Sequence, residues 1–249
     1  MYQGTKMDWV GERSYHKVEL KSQDRIAYYF SKRVLDLVIT IPALIILAPM
    51  IILISLLICL DSPGSPIFCQ TRVGTKRRPN KNETIWEPHL FTCYKFRTMV
   101  CNADPSLHQA FVKAFIRDDH EGMNTIQGEE DSTCKLTRDP RITRFGRILR
   151  KTSLDELPQF VNVLFGNMSL VGPRPAILYE LDDYKDWHFH RFSATPGLTG
   201  LWQVTARSSA DFDVMVKLDI EYIENQSIWQ DMKIILKTPF VVFSMKGAH

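Results

Sequence analysis

The most apolar part of the chain is a single run, residues 37 to 60, LVITIPALIILAPMIILISLLICL, with no charged residue and with Asp36 and Asp61 at its ends. As a straight helix it would be about 36 Å long, enough to cross a hydrocarbon core of ~30 Å. A polar stretch precedes it and no cleavage site follows, so it does not read as a signal peptide. Pro42 and Pro49 interrupt it. Pro49, near the midpoint, deletes a backbone hydrogen bond, collides with the carbonyl four residues back and drives Ala48 away from the helical region. Each half is then too short to span. Lys32 and Arg33 precede the run, and Arg72, Lys76, Arg77, Arg78 and Lys81 follow it. A spanning helix would leave one basic flank outside, against the positive-inside tendency. A helix that enters, turns at Pro49 and returns keeps both flanks inside. Two readings therefore stand, a kinked spanning helix and a re-entrant hairpin over residues 32–61, and the flanks favour the hairpin. Backbone opened at such a bend needs a partner, which Ser55 or a neighbouring helix is able to supply.

Elsewhere the patterns are shorter. Residues 1–31 are polar and weakly patterned, a cytosolic lead-in. SPGSP at 62–66 is a turn signal. IFCQTRV and HLFTCYKFRTM are aromatic and β-branched, and predict a β-hairpin whose basic loop contains KRRPNKN. Leu107, Phe111, Val112 and Phe115 predict a helix within 103–117, and the acidic, polar residues 118–135 a surface loop. Residues 211–249 read as helical. IWQDMKIILKTPFVVFSMK suits a helix on a membrane surface with Trp229 at the headgroups, and equally a core-facing amphipathic helix.

The 249 residues allow one large domain or two small ones, and a net charge of +3 is too small to argue for nucleic acid. The five cysteines, Cys59, Cys69, Cys93, Cys101 and Cys134, are odd in number and contain no C-x-x-C, which argues against a disulfide framework or a zinc site.

The informative charge lies in LTRDPRITRFGRILRKTSLDELPQ, residues 136–159. Arginine recurs at every third position from Arg138 to Arg150, and the run stops at Asp155 and Glu156. Phe145, Ile148 and Leu149 form an apolar stripe that leaves Arg144, Arg147, Arg150 and Lys151 on the polar side of a helix. Ser153 and Glu156 have the spacing of a capping box, and Asp155 is an equally good N-cap ahead of Pro158. The two acids thus start a helix, either as caps that complement its dipole or as chemical groups. Arg174 stands between two prolines in SLVGPRP, Arg207 ends the Gly-containing TPGLTGLWQVTARS, and Lys95 and Arg97 sit in YKFRTM. Arginines in such fixed loops suit bidentate phosphate binding; ordinary surface salt bridges are the plainer alternative. His188 and His190 in WHFH face one way only on a strand, and no third metal ligand accompanies them.

KRVLDLVITIPALIILAPM, YKFRTM, LTRDPRITRFGRILRKTSLDELPQFVNVLFGNMSLVGPRP and TPGLTGLWQV, spread over about residues 31–240, resemble the bacterial sugar transferases, the polyprenyl-phosphate phosphosugar transferases also called monotopic phosphoglycosyl transferases. The resemblance implies an α+β, mainly helical protein. Its expected parts are a lead-in (1–31), a re-entrant helix-break-helix membrane hairpin (32–61) and a cytosolic-face catalytic domain (62–249) with a small β-hairpin and membrane-surface amphipathic helices. It implies transfer of a sugar-1-phosphate from a nucleotide diphosphate sugar, expected to be UDP-linked, to a polyprenol phosphate, expected to be undecaprenyl phosphate, with release of UMP. This would be the first membrane step of glycoconjugate, exopolysaccharide or lipopolysaccharide assembly on the cytoplasmic face of the bacterial inner membrane. The family's nucleophile falls on Asp155 and its Mg²⁺-holding acid on Glu156, with Mn²⁺ as an alternative ion. Its essential basic positions fall on Lys95, Arg150 and Arg174; Arg97 and Arg207 are further candidates for phosphate, and Pro49 marks the bend. Ala48 replaces a frequent serine before that proline, Ala176 replaces a frequent glutamate after GPRP, and VTAR lacks a frequent glycine before its arginine. The family's larger members carry four N-terminal spanning helices, and this chain resembles the minimal form. A membrane lipid surface is an implied partner, nucleic acid is not, and a homodimer is left open. Two rivals remain, a glycosyltransferase that releases the nucleoside diphosphate and a non-catalytic monotopic scaffold.

Overall fold

The computed structural model describes residues 25–80, 83–127, 139–206 and 210–243. Residues 1–24, residues 128–138, which include the rest of the loop expected at 118–135, and Arg207 lie outside the described residues.

Helix α1 runs from Ile26 to Asp61 with Pro42 and Pro49 inside it. It begins within the expected lead-in because its first turns bear a buried stripe at i+4 spacing, Tyr28, Lys32, Asp36 and Thr40. The polar members of that stripe have built partners. Lys32 donates to Asp231 at 2.9 Å and to the Tyr222 hydroxyl at 3.1 Å, and Tyr222 donates to Asp231 at 2.6 Å. Asp36 accepts from Ser169 Oγ at 3.0 Å and from the Leu170 amide at 2.9 Å. Arg33 donates to the Val163 and Leu164 carbonyls at 2.6 and 2.8 Å. Buried charges are tolerated only with such partners. The far end of α1 is seated too, since Ile54 and Ile58 pack with Phe96 and Leu149. Between these ends, residues 41–53 include no buried position. Ser55 Oγ donates to Ile51 O at 2.8 Å, four residues back, and so does not serve the Ile45 carbonyl that Pro49 leaves open.

Strands β1 (Ile67–Asn80) and β2 (Glu83–Phe96) form the hairpin, far longer than the sequence patterns suggest. The described part of the expected basic loop, residues 76–80, is itself strand, with Lys76 opposite Glu87, Arg77 opposite Trp86 and Arg78 opposite Ile85. Cross-strand pairing of Arg78 with Glu87 and a Trp86–Tyr29 ring contact at 5.6 Å hold this extension in strand form. Helix α2 (Ser106–Ile116) matches expectation. The expected loop after it begins with a short helix α3 (His120–Gln127), because Met123 finds an apolar seat against Phe111 and Ala114.

Helix α4 (Arg144–Thr152), a 3₁₀ turn (Leu154–Glu156) and α5 (Gln159–Leu164) follow. Strand β4 (Ala176–Ile177) joins the edge of β1, giving the order β2-β1-β4, while β3 (Ser169–Val171) pairs in parallel with β5 (Gly197–Thr199). Gly172 and Gly197 lie where a Cβ on either would overlap the other's backbone segment, which is why these two strands close so tightly. Helices α6 (Leu201–Thr205), α7 (Phe212–Glu224) and α8 (Ile228–Phe243) complete the fold. The main core joins Phe91 and Cys93 of β2, Val163 of α5, Leu170 and Val171 of β3, Tyr222 of α7 and Ile234 of α8, and Ile39 of α1 packs against it. Helix α8 packs one face on the core, as the amphipathic reading expects, and leaves an apolar face exposed. Asp231 and Ile234 are buried, whereas Trp229, Leu236 and Phe240 are exposed along the other face.

Candidate active site

The positive run and the two acids meet through α4. Thr143 caps its start by accepting from the Gly146 amide at 3.0 Å. Gly146 lies against the Thr98 carbonyl, where a Cβ would overlap it. This contact presses α4 onto the segment leaving β2, and one turn later Arg150 Nε donates to Thr98 Oγ1 at 2.9 Å. Helix α4 ends at Ser153, which takes a left-handed conformation with φ of 56°. Such a C-terminal residue reverses the chain, and a serine held there is under mild strain. The capping readings of the sequence are therefore corrected. Ser153 ends one helix, and neither it nor Asp155 makes a side-chain cap on the next turn. The acids open that turn, but their side chains are used elsewhere.

Lys95, near the end of β2, donates to Glu156 Oε1 at 2.7 Å. The side chain of Glu156 is 31% exposed. Burial works against its ionisation, but Lys95, Arg174 and Arg72 outweigh burial and hold its carboxyl down to about 2. Asp155 behaves oppositely. Burial pushes its carboxyl above the usual range, Lys95 pulls it down, the charge of Glu156 adds to the rise, and Arg150 opposes it. Two adjacent acids thus have separate characters, one firmly ionised and one of raised basicity.

Arg174 presents an exposed side chain on a fixed backbone. The Gly172 amide donates to Thr199 O at 2.9 Å, and the Gly197 amide donates to Pro173 O at 2.8 Å. Two buried guanidiniums hold the next two carbonyls. Arg191 donates to Arg174 O at 3.3 Å and Arg72 to Pro175 O at 3.0 Å. Arg191 is itself fixed by Asp219 at 2.7 Å. The sequence reading missed Arg72 and Arg191; the available signal was an arginine inside each of two apolar stretches, TRV and FHRF.

His108 and Tyr179 were missed as well. They form a 2.7 Å hydrogen bond between α2 and the segment after β4. Burial, with Arg141, Arg72, Arg150 and Arg174 nearby, holds the His108 imidazole down to about 4, so it is neutral at neutral pH. Arg141 is oriented by Asp139, which accepts from its Nε at 2.7 Å.

Lys95, Arg150, Arg174, Asp155 and Glu156 are therefore one electrostatic neighbourhood. Arg97 is not brought into it. Its Nη2 donates to Ser62 O at 2.6 Å and to Ile58 O at 3.4 Å, and its Nη1 donates to Pro63 O. It satisfies carbonyls at the C-terminal end of α1 and serves as a brace there. Arg207 lies outside the described residues. WHFH is also resolved against metal binding, because it lies in a 3₁₀ helix and His188 is used by the Lys185 amide at 3.1 Å and Asp213 at 3.0 Å.

A divalent cation fits the donor set at Asp155 and Glu156. Glu156 is ionised, and its Oε2 has no hydrogen-bond partner among the described residues. Mg²⁺ typically takes one or two carboxylates and fills its remaining positions with water and substrate phosphate.

The Bacterial sugar transferase family profile matches residues 27–245. The chain belongs to the bacterial sugar transferase family. It is 41% identical over 220 residues to an undecaprenyl-phosphate galactose phosphotransferase of Salmonella typhimurium, a match covering 88% of this chain and 42% of that protein. It is 34% identical to a UDP-glucose:undecaprenyl-phosphate glucose-1-phosphate transferase of Escherichia coli, over 88% of this chain and 41% of that protein. It is 38% identical to the exopolysaccharide production protein ExoY of Sinorhizobium fredii, over 88% of both chains. The chain thus spans less than half the length of the first two relatives, and nearly all of the third. Among the family features, the Asp-Glu pair, Lys95, Arg150 and Arg174 converge, whereas the braces Arg72, Arg191 and Arg97 are supplied by the tertiary fold.

Proposed function

We propose that this chain transfers a sugar-1-phosphate from a UDP-sugar to undecaprenyl phosphate on the cytoplasmic face of the bacterial inner membrane, in the assembly of an exopolysaccharide or related glycoconjugate. The observation that carries this reading is the unlike pair of acids, with Lys95 bound to Glu156 and its charge, with those of Arg150 and Arg174, acting on the pair. The names of the Salmonella and Escherichia relatives both give undecaprenyl phosphate, and that of the Escherichia relative also gives UDP-glucose.

In this reading an Asp155 oxygen attacks the phosphorus that carries the sugar. The phosphoanhydride bond breaks, UMP leaves, and Asp155 holds a phosphosugar. A carboxylate needs no base for this step, and raised basicity favours attack so long as the group stays ionised. An oxygen of the lipid phosphate then attacks the same phosphorus and expels the Asp155 carboxylate. Arg174 and Arg150 stabilise charge that spreads over the phosphoryl oxygens, and Lys95 keeps both acids ionised. Glu156 would hold Mg²⁺, which neutralises phosphate charge when bound. Product analysis tests the reading. Purified protein with undecaprenyl phosphate and a panel of nucleotide sugars should release UMP with one of them. Release of UDP instead would mean glycosyl transfer and overturn it.

Arg174→Lys is expected to lower kcat/KM at least about tenfold with folding unchanged. The loop aims one planar fork at phosphate oxygens, and a lysine offers a point charge; losing a charge-assisted bond costs about 1.5–3 kcal/mol. Near-native turnover of Arg174→Lys at subsaturating donor would remove Arg174 from phosphate binding.

The re-entrant form of α1 belongs to the same proposal. Both ends of α1 are seated on one body, its middle is apolar and unburied, and Pro49 lies between. Single cysteines at Ala27→Cys and Ser65→Cys, in a background without other cysteines, are expected to label from the same side of closed vesicles. Labelling from opposite sides would mean that α1 spans.

A further inference from the structure

The outer face of α1 is apolar well before the uncharged run begins. Ile26, Phe30, Val34, Val38, Ile41 and Ile45 are all exposed, at steps of three or four residues that place them along one side of the helix. Phe30 is 71% and Ile45 70% exposed, so the stripe does not fade toward the helix start. The charged residues of this stretch, Lys32, Arg33 and Asp36, are turned inward onto the partners described above. At its upper end the stripe enters a cleft of about 460 Å³ lined by Ile26, Tyr29, Phe30, Arg77 and Thr84. The wall opposite α1 is the extended part of the β1–β2 hairpin. Arg77 lies over the Tyr29 ring at 4.5 Å and reaches Thr84 Oγ1 at 3.5 Å. The cleft therefore joins an apolar track, continuous with the membrane run, to a cation and a hydroxyl at its head.

We infer that this cleft binds one anionic phospholipid of the bilayer, its acyl chain along Phe30, Val34 and Val38 and its phosphate at Arg77. The inference rests on the membrane reading above. An acceptor-lipid phosphate poised for reaction does not fit the position, because Trp86 beside the cleft and Lys95 at the acids are nine positions apart on one strand, about 30 Å. Strand alternation also makes the site specific to one residue. Lys76 and Arg78 point to the opposite face of the hairpin from Arg77.

The full chain, reconstituted in nanodiscs of equal parts phosphatidylglycerol and phosphatidylcholine and then extracted in detergent, would be examined by native mass spectrometry for retained lipid. The wild-type chain is expected to retain phosphatidylglycerol in preference to phosphatidylcholine. Arg77→Gln and Phe30→Ser are each expected to lower that retention about fivefold, while Arg77→Lys, Lys76→Gln and Arg78→Gln stay within about twofold. UMP release should survive in Arg77→Gln, which shows that it is folded. Equal losses for all three basic positions would indicate a diffuse charge effect and overturn the site. Displacement of the retained lipid by polyprenyl phosphate, or disulfide capture of two copies through Thr84→Cys, would overturn it in favour of the acceptor or of a second chain. A wild-type chain that joins membranes without lipid preference would sink the cleft alone, and one that joins no membrane would sink the membrane reading with it.

Discussion

Asp155→Asn is expected to lower kcat by on the order of 10⁴-fold or more, because in the proposed reaction it removes the one protein group that would form a bond to phosphorus. Asparagine keeps the size of the side chain and its place in the 3₁₀ turn, so the fold should be retained. It also removes the burial of a charge and, secondarily, the repulsion from Glu156, which together raise the Asp155 carboxyl, so stability should not fall. Donor binding through Arg174 and Arg150 should persist, which separates loss of chemistry from loss of the site. Asparagine can revert by deamidation, and Asp155→Ala checks against that. Wild-type protein given donor alone should carry a phosphosugar adduct that mass spectrometry maps to Asp155. An adduct on Glu156, or turnover of Asp155→Ala above about one per cent of wild type, would refute the nucleophile assignment.

Lys95→Met should be the next most damaging change, at about 10²–10³-fold in kcat/KM, comparable to removal of one preorganised charge-stabilising donor. Its diagnostic is the pH profile. Lys95 lowers the carboxyls of both Asp155 and Glu156, so both should rise when it is removed. The acid limb of kcat/KM should therefore move to higher pH, and raising the pH should restore part of the lost rate. The stability consequence has a defined sign. Glu156 is held at about 2, below its ordinary 4.5, so its ionisation stabilises the wild-type fold above pH 4.5 and this contribution is lost as pH falls through about 2. Lys95→Met should lose much of that stabilisation at neutral pH and show a flatter acid melting curve. An unshifted acid limb would mean that Lys95 binds donor without tuning the acids.

The sequence by itself determined the parts that depend on local pattern. An uncharged run with two prolines read as a long apolar helical segment, the β-branched segments read as strands, and TSLDELPQ placed two acids at the head of a helical turn. The family motifs named Lys95, Arg150 and Arg174, and these do converge on Asp155 and Glu156. Side-chain roles that depend on distant partners were not legible. Arg97 and Lys95 are two residues apart in one motif, yet Lys95 meets Glu156 while Arg97 reaches back to the end of α1. Alternation along the strand sends neighbours two apart to the same face, and only the packing of α1 against that end of β2 determines which of them finds a carboxylate and which finds open carbonyls. For the same reason the braces of the Arg174 loop could not be foreseen. Arg72 and Arg191 are separated by 119 positions in the chain, and only the closing of β4 against β1 brings both guanidiniums to consecutive carbonyls. The basic segment KRRPN had the composition of a loop, and tertiary contacts made it strand. Trp86 and Arg77 had an aromatic seat on Tyr29, so burial and ring contact outweighed the local preference for a turn.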